Sequence, residues 1–172
     1  MENKLNHQYN WNISYEIVMN ISNVELWKII SSPSNLELFH PFCSKNNVIN
    51  WPGKNSVDHI HYYNGMILER NFVNWYENKG YDLYIGEKNK SKSYVEWRID
   101  KINHNQSKIK ITIYPHIYNL GNIFKNFFPF FFFIRPNIKK YVKQVLYGLQ
   151  WYVLNKEKIS KNQFGSNIFF SP

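Results

Sequence analysis

Three polar residues in one stretch of the chain could carry chemistry. His59 and His61 are two positions apart, so in a β-strand both side chains point to the same side of the sheet. Arg70 follows nearby, and its fork of donors suits a carboxylate or carbonyl oxygen on a ligand. Two imidazoles without a third ligand make a poor metal site, so we expect cavity-lining histidines, no metal and no cofactor.

The turn between these residues predicts how they face one another. Asn64-Gly65 matches a two-residue hairpin loop, because both residues tolerate positive φ. Such a loop places His59 opposite Arg70 and His61 opposite Leu68, on one face of the sheet. Since a buried polar group without a partner costs about 1–3 kcal/mol, this face predicts a wet pocket. The alternative is that Arg70 pairs with a glutamate in a purely structural role.

The other reactive side chains show no catalytic pattern. Glu69 and Arg70 are consecutive and point to opposite faces, so they do not form an acid–base pair. Nothing near Cys43 in the sequence marks it as a nucleophile, and a buried small residue is the simpler interpretation. We find no Gly-rich phosphate loop and no convincing Ser-His-Asp pattern.

The cysteine count and the polar N-terminal residues indicate where in the cell the protein is located. A single cysteine rules out an internal disulfide and fits a reducing environment. Residues 1–12 are polar and lack the apolar core of a signal peptide. We therefore expect a cytoplasmic protein, either free or peripheral to a membrane.

Alternating apolar residues predict that a β-sheet positions these side chains. The first strand lies within residues 13–21. Six more are predicted near residues 44–51, 56–63, 66–76, 80–88, 93–103 and 107–116. The separating turns are short, so consecutive strands should be antiparallel neighbours.

Three helices complete the pattern. Capping-box sequences beginning at Ser22 and Ser34 predict two short helices, which end near Ser32 and His40. The longest helical pattern runs from 135 to 156, with apolar residues at steps of three and four. A helix about 30 Å long needs a partner surface of similar length, and here only the sheet can supply it.

This order of elements carries a family resemblance. The supporting segments are Ser14-Tyr15-Glu16-Ile17, the helix pair within 24–42, Tyr62-Tyr63-Asn64-Gly65, and Tyr147-Gly148-Leu149-Gln150-Trp151. Over about residues 11–155 the chain resembles the SRPBCC superfamily, the START-like or helix-grip proteins, which include polyketide cyclase/dehydrase relatives and lipid-transport domains. The resemblance implies an α+β helix-grip fold, in which a curved seven-stranded antiparallel sheet wraps around the long C-terminal helix and encloses a cavity.

That resemblance also implies a function, namely binding, or binding and transport, of a hydrophobic small molecule or lipid in the cavity. The strand and helix patterns predict a cavity of about 300–1,000 Å³. We expect it to be lined by Leu68, Phe72, Trp97, Ile111, Tyr141, Val145 and Leu149, with His59, His61 and Arg70 as its polar groups. One alternative is a cyclase/dehydratase-type enzyme in which those polar groups move protons. Another is a membrane-surface-associated lipid-handling or chaperone-like accessory protein.

A phenylalanine-rich loop is predicted between residues 118 and 134. Its aromatic residues include Phe127, Phe128, Phe130, Phe131, Phe132 and Phe133. Lys125 and Pro129 interrupt it, and a membrane-crossing helix needs about 20 apolar residues. Three interpretations compete: core packing, a lip over the cavity mouth, and contact with a membrane interface, which nearby lysines would favour.

Charge is distributed unevenly along the chain. Residues 1–86 hold 6 Lys+Arg and 8 Asp+Glu, a net charge of −2, whereas residues 87–172 hold 15 and 4, a net charge of +11. A basic half suggests an anionic partner, but a solvated lysine surface is the simpler interpretation. No nucleic-acid-binding motif is present, so we expect no nucleic-acid partner. The oligomeric state stays open.

We divide the chain into an N-terminal extension of residues 1–10, a helix-grip domain of residues 11–155, and a C-terminal tail of residues 156–172. Three phenylalanines make the tail unlike a solvated terminus. It should fold back on the domain or onto a second copy, and fraying is the alternative.

Overall fold

A seven-stranded antiparallel sheet dominates the computed structural model, which describes residues 8–172. The strands are β1 (Ile13–Met19), β2 (Cys43–Asn50), β3 (Val57–Tyr62), β4 (Ile67–Tyr76), β5 (Gly80–Gly86), β6 (Ser93–Lys101) and β7 (Ser107–Tyr114). They lie in the order β1-β7-β6-β5-β4-β3-β2, so only the β1–β7 pair joins strands distant in sequence. The predicted α+β class and the curved seven-stranded sheet are confirmed. Most of the predicted N-terminal extension lies outside the described residues.

The hairpin of β3 and β4 is closed by the hydrogen-bonded pair of Tyr62 and Met66, so its loop has three residues, 63–65, instead of the predicted two. The N–H of Tyr62 donates to the carbonyl of Met66 at 2.9 Å, and the N–H of Gly65 donates to the carbonyl of Tyr62 at 3.0 Å. Gly65 has φ +86°, which is the left-handed conformation that closes such a three-residue loop.

That extra loop residue shifts the register by one position. His59 pairs with Glu69, and Asp58 pairs with Arg70. Because successive side chains of a strand alternate between faces, a shift of one residue exchanges the faces. The prediction that His59 and His61 share a face with Arg70 was therefore wrong.

Two short helices follow β1, as predicted. In α1 (Asn23–Ile30), the Ser22 hydroxyl accepts the N–H of Glu25 at 3.2 Å and donates to its carboxylate at 2.8 Å. The second helix, α2 (Leu36–Phe39), is one turn long. Its predicted capping box does not form, because the N–H of Glu37 donates to the backbone carbonyl of Ser34 at 3.1 Å instead of to the serine side chain. Asn35, which precedes the helix, makes no capping bond either.

The phenylalanine-rich segment is helical, so the prediction of a loop was wrong. α3 (Ile123–Pro129) runs through a π-helical turn (Phe130–Ile134) into α4 (Arg135–Asn155). The N–H of Arg135 bonds to the carbonyl of Phe130, five positions back. This wider turn changes which side chains face the domain. The long C-terminal helix itself is confirmed.

α4 packs closely against the rest of the domain. Its buried face includes Ile138, Val142, Val145 and Leu149. A Cβ added at Gly148 would lie only 2.0 Å from the backbone oxygen at the end of α2. A glycine is therefore needed where α2 touches the helix.

The segment after α4 folds back on the domain. The N–H of Ile159 donates to the carbonyl of Leu38 at 3.0 Å, and the N–H of Asn162 donates to that of Pro41 at 3.0 Å. The Gln144 side chain donates to the carbonyl of Phe164 at 2.8 Å. The tail thus becomes part of the structure around α2 and α4.

Candidate ligand-binding cavity

A cavity of about 310 Å³ lies between the inner face of the sheet and the N-terminal half of α4. Most of the side chains that line it are apolar. They include Ile60, Leu68, Leu83, Trp97, Ile111, Ile134, Ile138, Val142 and Val145. The cavity opens to solvent beside the β5–β6 loop, because Glu87, Lys90 and Ser91 both line it and are exposed.

Six residues that the sequence placed at the cavity do line it in the structure. They are Leu68, Arg70, Trp97, Ile111, Tyr141 and Val145. Phe72 and Leu149 are buried elsewhere in the core, and Phe72 packs edge-on against Trp51 and Tyr81. Their proposed contact with a ligand is therefore not supported by their position.

His59 and His61 lie on the outer face of the sheet, away from the cavity lining. The Nε2 atom of His59 is 3.6 Å from a carboxylate oxygen of Glu69. The Nε2 atom of His61 is 3.2 Å from the amide nitrogen of Asn47. Both imidazoles therefore interact with their strand neighbours instead of with the cavity. Within residues 8–172, no three His, Cys, Asp or Glu side chains are arranged to hold a metal ion.

Arg70 points inward and is neutralised by Asp58. The two residues are directly opposite on β4 and β3, and both are buried. The Nε atom of Arg70 donates to Asp58 Oδ1 at 2.7 Å, and a second guanidinium nitrogen donates to Asp58 Oδ2. Burial lowers the pKa of Arg70, but the charge and hydrogen bonds of Asp58 outweigh this and raise it overall. The structural pairing expected as an alternative is present, with an aspartate in place of a glutamate.

The cavity contains a short chain of hydrogen-bonded polar side chains. His40 Nε2 lies 2.8 Å from the hydroxyl of Tyr141, which lies 3.2 Å from the hydroxyl of Tyr62. Burial lowers the pKa of His40 to about 3, and the charge of Arg70 adds to this effect. Burial also raises the pKa of Tyr141 to about 12. At neutral pH the imidazole is therefore uncharged and the hydroxyl keeps its proton.

Hydrogen-bond geometry fixes the direction of this chain. The backbone N–H of Phe42 donates to His40 Nδ1 at 3.3 Å, so the proton of the neutral ring is on Nε2. Nε2–H then donates to the oxygen of Tyr141. Tyr62 and Tyr141 can use only one of their two hydroxyl protons to bond each other. Among the described residues, the second proton has no acceptor, and both hydroxyls belong to side chains that line the cavity.

The C-terminal tail covers this pair of tyrosines. The ring of Phe170 lies 4.5 Å from that of Tyr62 and 4.6 Å from that of Tyr141, measured between centroids. The side chain of Asn64 holds the tail by donating to the carbonyl of Phe169 at 2.9 Å. Tail residues thus form part of the cavity wall.

His40, Tyr62 and Asp58 were missed in the sequence. With the three-residue loop, the alternation along β3 puts Asp58 and Tyr62 inward, so the correct register would have identified both. His40 follows the short α2, where no periodicity indicates the direction of its side chain. Its proximity to Tyr141 is a tertiary contact across 101 positions of sequence.

Structural comparisons decide the fold. A START superfamily protein from Mycobacterium smegmatis superposes with a TM-score of 0.61 at 10% identity, over 84% of this chain and 98% of that one. The chain has the START-like helix-grip fold. The di-domain ARO/CYC protein BexL gives a TM-score of 0.65 at 6% identity, over 83% of this chain and 47% of that one. The Aha1 dimer from Colwellia psychrerythraea gives 0.60 at 12% identity, over 83% and 96%.

These likenesses establish the START-like fold and leave the function to be argued from the cavity. No protein-family model matches the chain, and no curated protein sequence matches it. The START superfamily protein, BexL and Aha1 have different names and share this fold. Which ligand or reaction this chain serves depends on its own side chains.

The phenylalanine-rich helix extends the START-like domain next to the cavity. Phe130 is buried, with its ring centroid 4.8 Å from that of Trp11, so core packing describes this residue. Phe131 is partly buried against the same Trp11. Phe124, Phe127, Phe128, Phe132 and Phe133 are exposed. No helix within residues 8–172 combines the length and the apolar character needed to cross a membrane.

Proposed function

We propose that the protein binds one apolar small molecule or lipid in the cavity, with a hydrogen-bond acceptor of the ligand placed against Tyr62 and Tyr141. One observation carries this proposal. A mostly apolar cavity contains two linked hydroxyls of which one proton has no acceptor among the described residues. A carbonyl, ether or hydroxyl oxygen on the ligand would accept it, at a net gain of about 1 kcal/mol.

The size and lining of the cavity support the same proposal. Its volume of about 310 Å³ is roughly that of ten water molecules in the liquid. Water there would find few hydrogen-bond partners, because most lining side chains are aliphatic or aromatic. An apolar ligand that displaces such water removes its own surface from solvent, a gain of about 25 cal/mol per Å².

An enzyme in the same cavity receives less support. His59 and His61 lie outside it, and Arg70 is held by Asp58. His40 does line the cavity, but its pKa of about 3 makes it a weak base. A general acid or base works best with a pKa near the working pH.

The test compares two ligands that differ chiefly in one carbonyl oxygen, acetylnaphthalene and ethylnaphthalene. Isothermal titration calorimetry measures both dissociation constants for the parent, for Tyr62→Phe/Tyr141→Phe and for Val145→Trp. The parent should bind the ketone about fivefold more tightly, which corresponds to one net hydrogen bond of about 1 kcal/mol. The double tyrosine variant should lose this preference, and Val145→Trp should bind neither compound because the indole fills the cavity.

The matched control is Tyr84→Phe/Tyr152→Phe, since neither tyrosine lines the cavity. It should keep the fivefold preference. Circular dichroism confirms that each variant is folded. Equal affinity of the parent for both ligands would contradict the role of the hydroxyls, and unchanged binding by Val145→Trp would contradict the cavity as the site.

A further inference from the structure

The exposed phenylalanines are clustered on α3 and the π-helical turn that follows it. We define the aromatic patch as Phe124, Phe127, Phe128, Phe132 and Phe133, which are 89%, 44%, 67%, 65% and 67% exposed as whole residues. Phe127 and Phe128 have ring centroids 5.6 Å apart, and Phe128 stacks on Phe132 at 5.9 Å. α3 has no buried residue at all. Soluble monomers rarely expose a large contiguous apolar surface, so this one indicates a binding site.

The helical segment that carries the patch is held in place by core packing and by a helix cap. Directly behind it, Phe130 and Phe131 pack on Trp11 with ring centroids 4.8 Å and 5.2 Å away. Asn122 caps α3 by accepting the N–H of Lys125 at 3.0 Å. The exposed rings are therefore presented by a capped helix that continues into α4.

Charge around the patch identifies the kind of partner. Between residues 101 and 156 the sequence has nine Lys or Arg and no Asp or Glu. Lys125, Arg135, Lys139 and Lys140 flank the patch on the same continuous helix and are exposed. Within residues 8–172, none of these four has a carboxylate oxygen within 4.0 Å. Apolar rings bordered by unpaired cations match a membrane surface with anionic headgroups.

From these observations we propose that the aromatic patch docks the protein on an anionic membrane surface, with the phenylalanine rings at the level of the headgroups. A second copy of the chain fits less well. A two-fold contact through the patch would bring the same cations of both copies together with no acidic residue on the helix to pair with them. An anionic bilayer can bury the apolar rings at the boundary between its headgroups and acyl chains and pair the cations with its headgroups.

Docking in this orientation would set the cavity close to the bilayer. Ile134 follows the patch directly in sequence and lines the cavity. Ile117, which precedes α3, also lines the cavity. A ligand could then move between bilayer and cavity with little exposure to water. This consequence rests on the proposed cavity function, whereas the docking itself does not.

Vesicle co-sedimentation tests the proposal with the full chain. One set of vesicles contains phosphatidylcholine only, and the other contains phosphatidylcholine with phosphatidylglycerol. The parent should partition on the order of tenfold or more in favour of the anionic vesicles, because each basic residue near the surface adds to the attraction. Raising the salt concentration should weaken this binding.

Two pairs of variants separate rings from charges. Phe128→Ser/Phe132→Ser should reduce the partition coefficient at least tenfold, whereas Ile49→Ser/Leu154→Ser, which changes two equally exposed apolar residues elsewhere, should not. Lys139→Glu/Lys140→Glu should reduce it by a similar factor. Its control, Lys54→Glu/Lys79→Glu, makes the same change in net charge and should leave binding within about twofold.

Three outcomes would overturn the proposal. They are absence of sedimentation with anionic vesicles, equal loss of binding in the aromatic variant and its control, and equal loss in the two charge variants. Sedimentation velocity tests the alternative partner, a second copy of the chain. If the parent is a dimer and only Phe128→Ser/Phe132→Ser is a monomer, the patch is a dimer interface and the membrane proposal is wrong. All variants change exposed residues, and circular dichroism melting confirms that they remain folded.

Discussion

His40 makes the stability of this protein depend on pH in a direction and by an amount that can be calculated. Burial, with a contribution from the charge of Arg70, lowers its pKa from 6.5 to about 3 in the folded protein. In the unfolded chain the imidazole is solvated and returns to its ordinary value. Between these two values the unfolded state binds one more proton than the folded state, so stability falls as the pH is lowered through 6.5.

The size of the effect follows from the unfolded state. At pH 5.5 an ordinary imidazole is about ten times more often protonated than neutral, which stabilises the unfolded chain by about 1.4 kcal/mol. The folded-state value does not affect this figure as long as it lies well below 5.5. For a domain of this size, about 1.4 kcal/mol lowers the melting temperature by about 3–6 °C.

Urea unfolding at pH 7.5 and pH 5.5 measures this contribution. The parent is compared with His40→Gln, and the control is His104→Gln, which changes an exposed residue in the β6–β7 turn. Each variant is compared with itself at the two pH values, so the fixed cost of the substitution cancels. His40→Gln should lose about 1.4 kcal/mol less than the parent between the two pH values, and the control should match the parent.

Equal pH dependence in the parent and His40→Gln would refute the reasoning. It would mean that the imidazole is either solvated in the folded protein or protonated there at pH 5.5. A charged imidazole has no acceptor nitrogen, so the hydrogen bond from the N–H of Phe42 to Nδ1, from which the tautomer of His40 was assigned, could not be present.

Four further substitutions test the packing of the domain, each by urea unfolding. Gly148→Ala should cost several kcal/mol, because its Cβ would collide with the backbone oxygen at the end of α2. Asp58→Asn should cost about 3–5 kcal/mol, because it leaves the buried Arg70 charge without a counter-ion, and a smaller loss would show that water reaches the pair. Phe130→Ala should cost about 3–5 kcal/mol and Phe132→Ala less than about 0.5 kcal/mol, and similar losses would contradict their different burial.

Sequence periodicity was sufficient for the strands and the long helix, the family resemblance supplied their arrangement, and neither was sufficient for the polar part of the site. Alternation identified all seven strands and the i, i+3, i+4 pattern identified α4, since both depend on which side of an element faces the core. Register depends on the length of a loop, and Asn64-Gly65 is compatible with loops of two or three residues. The difference of one residue in loop length determines whether the histidines or Asp58 lie on the same face as Arg70, and in the structure it is Asp58.

The phenylalanine-rich segment shows a second limit. The segment was predicted to be a loop because it lies between the last predicted strand and the long helical pattern, and aromatic residues have only modest helix propensity. In the structure Pro129 is the last residue of α3, and the π-helical turn after it restores continuity with α4. The His40–Tyr141 contact is a limit of another kind, because it joins side chains 101 positions apart that no local pattern relates.

The pairing of β1 with β7 has a consequence for how the chain reaches this structure. The other strand pairs join consecutive strands, whereas the residues paired between β1 and β7 are 88 to 100 positions apart. Closing so long a loop is entropically costly, so this contact should form late. During synthesis, Ile13 and Met19 would wait without their sheet partner until β7 has left the ribosome. Substitutions that weaken the β1–β7 pair should therefore accelerate unfolding while leaving the folding rate nearly unchanged.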